Sequence, residues 1–302
     1  MTKLPGYLSW SQLDSFAGCG RKYELSYLEK VPKGPRGYFI GGHAVHETIQ
    51  ESESAGWWAD VDRFQKGGEA ETFFHLTFEK ELSESASDLL WGGRKSKAHP
   101  NGEDAAWWHS NGPSMLRRYS ALRREDEAKG YGRPETELKV SFAGPGGKQV
   151  LGYIDQLFPP MAHQVGASEG RVRDYKTGSS TPPTPLQLAL YGKAVRETME
   201  MDVRWGEFVK LRSNDGRLVH EVDLYPWYPV LDKLMTEWDE AIRSGVYLHR
   251  PGFLCGTCDV GAHCDVGRLL GGHDKEQAEE GKGQPGDVAQ AATSGAAGGS
   301  SV

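Results

Sequence analysis

Two aspartates and a lysine lie in strand-like segments where together they could hydrolyse a phosphate ester. Asp155 falls within KQVLGYIDQLF, and Asp174 and Lys176 fall within RVRDYK, one hairpin's length further along the chain. Because side chains alternate along a strand, Asp174 and Lys176 share a face. Carboxylates that converge from neighbouring strands are hard oxygen ligands suited to Mg²⁺ or Mn²⁺. A lysine beside them can orient an attacking water or stabilise charge on a phosphate.

Histidine and glutamine side chains on two predicted helices could complete such a site. His43 and His46 lie within one turn of each other in the segment from about 40 to 55, and their spacing does not choose between them. Gln187 and Tyr191 are four residues apart in PPTPLQLALYGKAVRETME, which predicts a helix with Pro185 near its first turn, so both side chains point the same way. This pair either belongs to the site or is a helix face packed on the sheet.

The four cysteines have the number and layout of one four-thiolate metal site. Cys255, Cys258 and Cys264 form C-x2-C-x5-C, and Cys19 lies far upstream. Structural disulfides are not expected, because the first residues, MTKLPGYLSW, lack the charged and then apolar layout of a signal peptide. Both Zn²⁺ and an iron–sulfur cluster accept four thiolates. Zinc sites usually contain two C-x2-C pairs, and Cys19 has no such neighbour.

The pattern of elements predicts a mixed α/β fold that positions these residues. ETELKVSF, KQVLGYIDQLF and RVRDYK predict three strands, with Leu151, Tyr153, Asp155 and Leu157 on one face. WGEFVKLRS and GRLVHEVDL predict a strand pair with its turn at residues 214–216. Helices are predicted over 9–17, where Ser9 is the cap and Gln12 the third helical residue, over 21–31, within 57–130 and over 227–244.

The ordered set of motifs resembles the RecB-like PD-(D/E)xK nuclease superfamily, including its CRISPR-associated exonucleases and phage relatives. The matching motifs are GxxxH ending at His46, GxxD ending at Asp155, Asp174-Tyr175-Lys176, and QxxxY from Gln187 to Tyr191. The resemblance implies a restriction-endonuclease-like core with a central mixed sheet flanked by helices. It implies that the metal ligands are His46, Asp155, Asp174 and the Tyr175 carbonyl. It also implies that Asp155, Asp174 and Lys176 are catalytic, and that Gln187 and Tyr191 contact DNA.

The cysteine layout is similar to the iron–sulfur staple of the same family, including AddB-type subunits. The resemblance implies a 4Fe-4S cluster held by Cys19, Cys255, Cys258 and Cys264, which would join the N- and C-terminal segments. In relatives a proline usually follows the first cysteine, and here Gly20 takes its place. The predicted role of the cluster is structural, and structural Zn²⁺ remains the alternative.

The domain organisation that we predict is one nuclease domain over residues 1–274. It contains a helical subdomain over about 56–130, a sheet core over about 135–225, and the staple of residue 19 with residues 255–264. Residues 275–302 have almost no large apolar side chains, which predicts a disordered tail. No stretch approaches the roughly 20 apolar residues that span a bilayer, so we expect a protein of the bacterial or phage-infected cytoplasm and no membrane partner.

Charge and aromatic residues leave alternatives open. The net charge of −7 counts against nucleic-acid binding, although basic residues concentrate in 1–36 and 94–133. Trp57-Trp58 and Trp107-Trp108 could stack on unpaired bases or, more often for such pairs, pack in a core. Arg117-Arg118 and Arg123-Arg124 could follow a phosphate backbone or form a basic helix face balanced by nearby acids.

The function predicted from these residues is metal-dependent exonuclease activity on single-stranded DNA or DNA ends, in recombination, repair or phage DNA processing. The alternative is a non-catalytic DNA-binding subunit of a recombination or CRISPR-adaptation complex. The intact Asp155, Asp174 and Lys176 favour the enzyme, because a degenerate subunit is expected to lose one of them. A recombination or helicase protein is a possible partner. A redox- or zinc-regulated binding module would leave the carboxylates unexplained.

Overall fold

The computed structural model describes most of the chain, and its compact parts form two units. One unit comprises Met1–Arg250 and the other begins at Pro251. The tail predicted over 275–302 and the turn predicted at 214–216 lie outside the described residues. The residues described are 6–33, 36–85, 89–93, 97, 100, 102–160, 169–178, 182–212, 217–252, 255–256 and 258–270.

A six-stranded mixed sheet lies at the centre of the first unit. Its strands are β1 (Tyr7–Leu8), β2 (Glu135–Ala143), β3 (Gln149–Phe158), β4 (Glu169–Lys176), β5 (Asp202–Lys210) and β6 (Val219–Asp223). Strand β3 pairs antiparallel with β2 along one edge, and its other edge pairs first with β1 and then, antiparallel, with β4. Strand β4 continues parallel to β5, and β5 pairs antiparallel with β6. The five longer strands are those that the sequence predicts.

Helices cover both faces of this sheet. In the first unit they are α1 (Trp10–Gly18), α2 (Gly20–Tyr23), α3 (Gly37–Ala55), α4 (Glu69–Glu84), α5 (Ala105–Ala128), α6 (Leu186–Met199) and α7 (Tyr228–Ser244). In the second unit, the described residues include one short α-helix, α8 (Asp265–Leu269). The predicted mixed α/β fold, with a central mixed sheet between helices, is confirmed. No helix in the described ranges is both long and apolar enough to cross a membrane.

The first face of the sheet packs against α1, α6 and α7. Leu188 and Leu190 of α6, Trp238 of α7 and Ile154 of β3 are all fully buried in one apolar cluster. Complete burial of a side chain of this size stabilises the fold by about 1.5–3 kcal/mol. This layer fixes α6, and hence Gln187 and Tyr191, against the sheet.

The second face packs against α3, α4 and α5, which form a second apolar cluster. Gly41 allows α3 to approach α5 closely, since a Cβ at Gly41 would lie 2.1 Å from the Trp108 ring. Trp107 and Trp108 are both buried, so the core-packing alternative holds for this pair and base stacking by it is wrong. Trp57 and Trp58 are partly buried against the same cluster.

Two helix predictions differ from the structure in their bounds. Helix α3 begins at Gly37 and runs through both glycines of FIGGH, because Gly41 and Gly42 face close neighbours that would crowd a larger side chain. The helix predicted over 21–31 is a single α-turn followed by a π-helical segment over Glu24–Leu28. The cap of α1 is as predicted, with the Ser9 hydroxyl accepting from the Gln12 amide.

The arginines of α5 are tied into the protein. Arg123 is only 1% exposed, because it pairs with Glu53 and lies over the Trp58 ring. Arg118 donates to the carbonyl of Leu211. The hypothesis that Arg123 contacts a phosphate backbone is therefore wrong.

Candidate metal centre

Three carboxylate residues occupy one transverse row across neighbouring strands. On β2 and β3 the register places Glu137 opposite Asp155, between the pairs Thr136–Gln156 and Leu138–Ile154. The pairing of β3 with β4 ends at Gln156 and Arg173, so Asp155 and Asp174 are the next opposed residues, at the point where these strands separate. The Asp155 carboxylate occupies the gap and accepts from the Tyr175 amide at 2.7 Å.

The regular alternation of side chains breaks at this row. Ile154 and Leu157 both pack in the first apolar cluster, although strict alternation would place them on opposite faces. Opposite the break, Glu137 has a φ of 46°, in the left-handed region that non-glycine residues rarely adopt. The prediction that Leu151, Tyr153, Asp155 and Leu157 share one face is therefore wrong, because Tyr153 is half-exposed and Leu157 is buried.

His46 joins the two carboxylates nearest to α3. Its Nδ1 lies 3.4 Å from Oδ2 of Asp155 and 3.9 Å from Oε1 of Glu137. One ligand atom from each of these three residues falls within 4.8 Å of the others, which is a spacing that one cation can bridge. His43 is 57% exposed and instead contacts Glu47 and Glu81. Distance therefore separates the two histidines that the sequence could not distinguish.

Asp174 and Lys176 meet the polar side chains of α6 on the other side of the row. Lys176 Nζ lies 2.6 Å from Oδ2 of Asp174 and donates to Gln187 Oε1 at 2.8 Å. The Gln187 amide donates to Asp174 Oδ1 at 2.7 Å and to the Tyr191 hydroxyl at 2.9 Å. Tyr191 is only 6% exposed. The structure thus brings the DxK and QxxxY motifs into one hydrogen-bonded group.

The glycines of two motifs permit close approach to these residues. A Cβ at Gly152 would lie 3.2 Å from the Tyr191 ring, and a Cβ at Gly42 would lie 3.2 Å from the Thr177 hydroxyl. Both distances are shorter than ordinary van der Waals contact. Glycine in GxxxH and GxxD therefore lets α3 and β3 pack tightly against the segment that carries Lys176.

The acids and the histidine perturb one another strongly. Burial opposes charge on His46, but the carboxylates of Asp155 and Glu137 outweigh it and raise the pKa of His46 to about 9. Burial raises the pKa of Asp155 to about 7, against His46 and with the help of the charge on Asp174. Burial also raises the pKa of Asp174, although Lys176 opposes the shift. A group of acids that resists ionisation is stabilised when a cation binds.

The donor set fits a hard divalent cation. Asp174 Oδ2 is buried and accepts no hydrogen bond from any residue described, although Lys176 is in ionic contact with it. With Asp155, Glu137 and His46 it offers three carboxylates and one imidazole, a set suited to Mg²⁺ or Mn²⁺. The carbonyl of Tyr175 follows Asp174 directly, and its role as a ligand stays a prediction.

A buried polar network supports the strands from the side of the second helical layer. The Tyr175 hydroxyl donates to Gln156 at 2.7 Å, and Gln156 donates to Glu53 of α3 at 3.0 Å. Arg173, on the same face of β4 as Tyr175, pairs with Asp126 of α5 at 2.6 Å. The residues that flank the catalytic motifs on β3 and β4 are therefore anchored to α3 and α5.

The cysteines are described unit by unit. In the first unit the Sγ of Cys19 accepts from the Arg250 amide at 3.5 Å, and in the second the Sγ of Cys255 accepts from the Gly252 amide at 3.4 Å. None of the four cysteines forms a disulfide, and each is partly exposed. Amide donors to sulfur are common around thiolate-bound metals. The thiols thus fit a metal site, and the identity of that metal stays a prediction.

Glu137 is the site residue that the sequence analysis missed. The strand ETELKVSF was predicted, but it carries both Glu135 and Glu137, and alternation alone does not select one of them. The register of the hairpin does, since its turn is centred on Gly146 and pairs Glu137 with Asp155. Glu135 lies on the exposed end of the same strand.

Comparison with known proteins identifies the family. The model of the PD-(D/E)XK nuclease superfamily matches residues 7–265. The chain is 13% identical to a candidate exonuclease from Eubacterium rectale, covering 88% of this chain and 93% of that chain with a TM-score of 0.48. It is 17% identical to the protein SSO0001, covering 53% of this chain and 80% of that chain with a TM-score of 0.33. No curated protein matches the chain.

Proposed function

The chain belongs to the PD-(D/E)XK nuclease superfamily, and from that premise we propose that it is a Mg²⁺- or Mn²⁺-dependent deoxyribonuclease that removes nucleotides from single strands or DNA ends. The observation that carries this proposal is the assembly of Asp155, Asp174, Lys176 and Gln187 around the point where β3 and β4 separate. We propose Asp155, Asp174 and Lys176 as the catalytic residues.

The residues of the site divide into those that hold a cation and those that handle the phosphate. His46, Asp155, Asp174 and the Tyr175 carbonyl would hold the cation, with Glu137 as a further ligand beside His46. Once bound, the cation would lower the pKa of a water molecule and neutralise charge on the phosphate. The strain at Glu137, which costs about 1–3 kcal/mol, is consistent with a position kept for function.

Lys176 is held where it can act on the phosphate. Its ammonium group contacts Asp174 and donates to Gln187, so three neighbours define its position. Positive charge fixed in advance next to a reacting phosphate stabilises the charge that develops in the transition state. We propose that Gln187 orients both Lys176 and Asp174, and that it and Tyr191 form the base of the DNA-contacting surface.

The four cysteines, in this proposal, hold a 4Fe-4S cluster that ties the N- and C-terminal segments of one domain over residues 1–274. A structural Zn²⁺ is the alternative ligand of the same thiolates. Recombination, repair or phage DNA processing in the cytoplasm would be the setting, with a recombination or helicase protein as a possible partner. A non-catalytic DNA-binding subunit is less consistent with the intact Asp155, Asp174 and Lys176.

Degradation of end-labelled DNA tests the proposed function. Protein purified without oxygen would be incubated with linear single-stranded and double-stranded substrates, with Mg²⁺, Mn²⁺ or chelator. We expect cation-dependent loss of label for the wild type and a loss of at least about 10³-fold in rate for Asp174→Ala, since one variant removes both a ligand and the partner of Lys176. Absence of cleavage by the wild type, or equal cleavage by the variant, would exclude the enzyme. Asp232→Ala, an exposed acid on α7, is the matched control.

A further inference from the structure

A cavity lies beside the candidate metal centre on the same face of the sheet. It has a volume of about 540 Å³, within the range of about 300–1,000 Å³ that is typical of pockets for small ligands. One wall is the proline-rich segment before α6, ending at Pro185, and the other is formed by β6. Phe208 of β5 lies between these walls.

The register of the sheet connects this cavity to the catalytic residues. Asp174 is directly opposite Phe208 on β5, and Phe208 is directly opposite His220 on β6. Neighbouring strands are about 4.8 Å apart, so the cavity begins about 5 Å from Asp174 and its far wall lies at about 10 Å. Lys176 Nζ is 5.5 Å from the centre of the Phe208 ring. The cavity is therefore about one nucleotide away from the proposed position of the scissile phosphate.

The lining of the cavity has the chemistry of a nucleotide site. Pro183, Pro185, Phe208 and Val222 offer apolar surface on which a base can pack, and His220 adds a second ring. Arg217 is exposed at the rim and brings a cation that can face a phosphate. Glu221 also lines the cavity, but its carboxylate is paired with Arg171, which reduces its repulsion of an anion.

We propose, on the basis of the proposed nuclease function, that this cavity binds the nucleotide next to the scissile phosphate. Arg217 holds a phosphate of the strand, and the base packs between the proline segment and the rings of His220 and Phe208. Occupancy of a cavity of this size by a single nucleotide would position the strand so that the neighbouring phosphate lies at Asp155, Asp174 and Lys176. Such a site favours cleavage close to an end.

Binding of deoxyadenosine monophosphate tests the cavity independently of catalysis. Calorimetric titration in chelator removes any contribution of a cation at the metal centre. We expect saturable binding of one nucleotide per chain, weakened at least tenfold by Arg217→Ala and by His220→Ala. Lys233→Ala, which removes the same charge from an exposed position on α7, is the matched control and leaves binding unchanged. Circular dichroism melting verifies that each variant is folded.

The outcomes separate this inference from the proposed function. If the wild type degrades DNA but shows no saturable binding, or binds equally in the Arg217 and His220 variants, the cavity assignment is wrong and the nuclease proposal stands. If the wild type binds the nucleotide through Arg217 and His220 but never cleaves DNA, the cavity assignment stands and the nuclease proposal fails. A higher KM of the variants for linear but not circular single strands assigns the cavity to a terminal nucleotide, and for both substrates to an internal one.

Discussion

At the scale of single residues, the site depends on acids that crowd a partly buried histidine. Asp155 and Asp174 lie on neighbouring strands, as the sequence predicts, and their motifs carry the lysine and the glutamine that meet them. Glu137 escaped prediction because its position depends on a left-handed φ and on hairpin register, which no local motif encodes. His46 could be separated from His43 only by distances between elements remote in sequence.

Glu137 gives a prediction that a purely structural acid would not. Glu137→Gln keeps the size of the side chain but removes a charge 3.9 Å from His46, so we expect Mn²⁺ to bind about 10-fold or more weakly. Calorimetry or Mn²⁺ electron paramagnetic resonance would measure the affinity. Glu135→Gln, two residues away and exposed on the same strand, should leave it unchanged. Equal affinities for all three proteins would show that Glu137 is not a ligand.

Cation affinity should depend on pH because two ligands hold protons near neutrality. The pKa of Asp155 is raised from 3.8 to about 7 and that of His46 from 6.5 to about 9. A cation binds only the deprotonated groups, so its affinity should rise from pH 6.5 to 9, with release of protons. Titrations in buffers of different ionisation enthalpy would count those protons. A flat profile over this range would contradict the shifts.

The same shifts fix the sign of the pH dependence of stability in chelator. Both folded-state pKa values lie above their ordinary values, so each group contributes stability below the ordinary pKa that is lost as pH rises through the raised one. The free energy of unfolding should therefore fall through Asp155 between about pH 4 and 7, and through His46 between about pH 6.5 and 9. Asp155→Asn should flatten the lower part of this decrease in urea denaturation.

At the scale of elements, the polar network between α3, α5 and the sheet does what apolar packing alone cannot. Glu53 accepts from Tyr119, Arg123 and Gln156, three donors from three different elements. Side-chain identity therefore fixes how α3 lies across β3, and α3 carries His46. Sequence patterns predicted these helices and strands, yet the network was missed because its charges resemble a solvated helix face. Arg123 was the residue for which that ambiguity mattered most.

Glu53→Ala should destabilise the fold far more than a second change at the same partner. It would leave the guanidinium of Arg123 buried without its main carboxylate, which typically costs about 3–5 kcal/mol. Glu127→Ala removes the other acid near Arg123, but Glu127 is 57% exposed and 3.5 Å away, so the cost should stay within about 1 kcal/mol. Urea unfolding of the two variants gives the comparison. Similar values would place the stabilisation elsewhere than in the network.

At the scale of the whole molecule, an acidic chain presents a cation-binding site and a basic rim to an acidic substrate. The net charge of −7 makes long-range attraction of DNA weak, so binding must come from local contacts. Part of that negative charge is the cluster of Glu137, Asp155 and Asp174, which a divalent cation would offset. The row that continues from these acids to Phe208 and His220 shows how one register of the sheet can serve both ligands.

The cysteines provide a prediction that concerns the chain from one end to the other. If Cys19 and the cysteines of residues 255–264 hold one 4Fe-4S cluster, protein isolated without oxygen should contain about four irons and absorb visible light. Cys19→Ser and Cys258→Ser should then lose the same iron and the same absorbance, because a cluster lacking either ligand is labile. Both variants should also unfold at lower temperature, since a long loop is no longer closed.

Asp174→Ala separates the two metal sites and is the control for the cysteine variants. It should retain iron and thermal stability while losing cleavage, because its carboxylate belongs to the cation centre at β3 and β4. Zinc in place of iron, with no visible absorbance, would replace the cluster by a structural zinc site without changing the ligand set. Retention of full metal content by Cys19→Ser would show that Cys19 is not a ligand, and that the three cysteines of the second unit act without it.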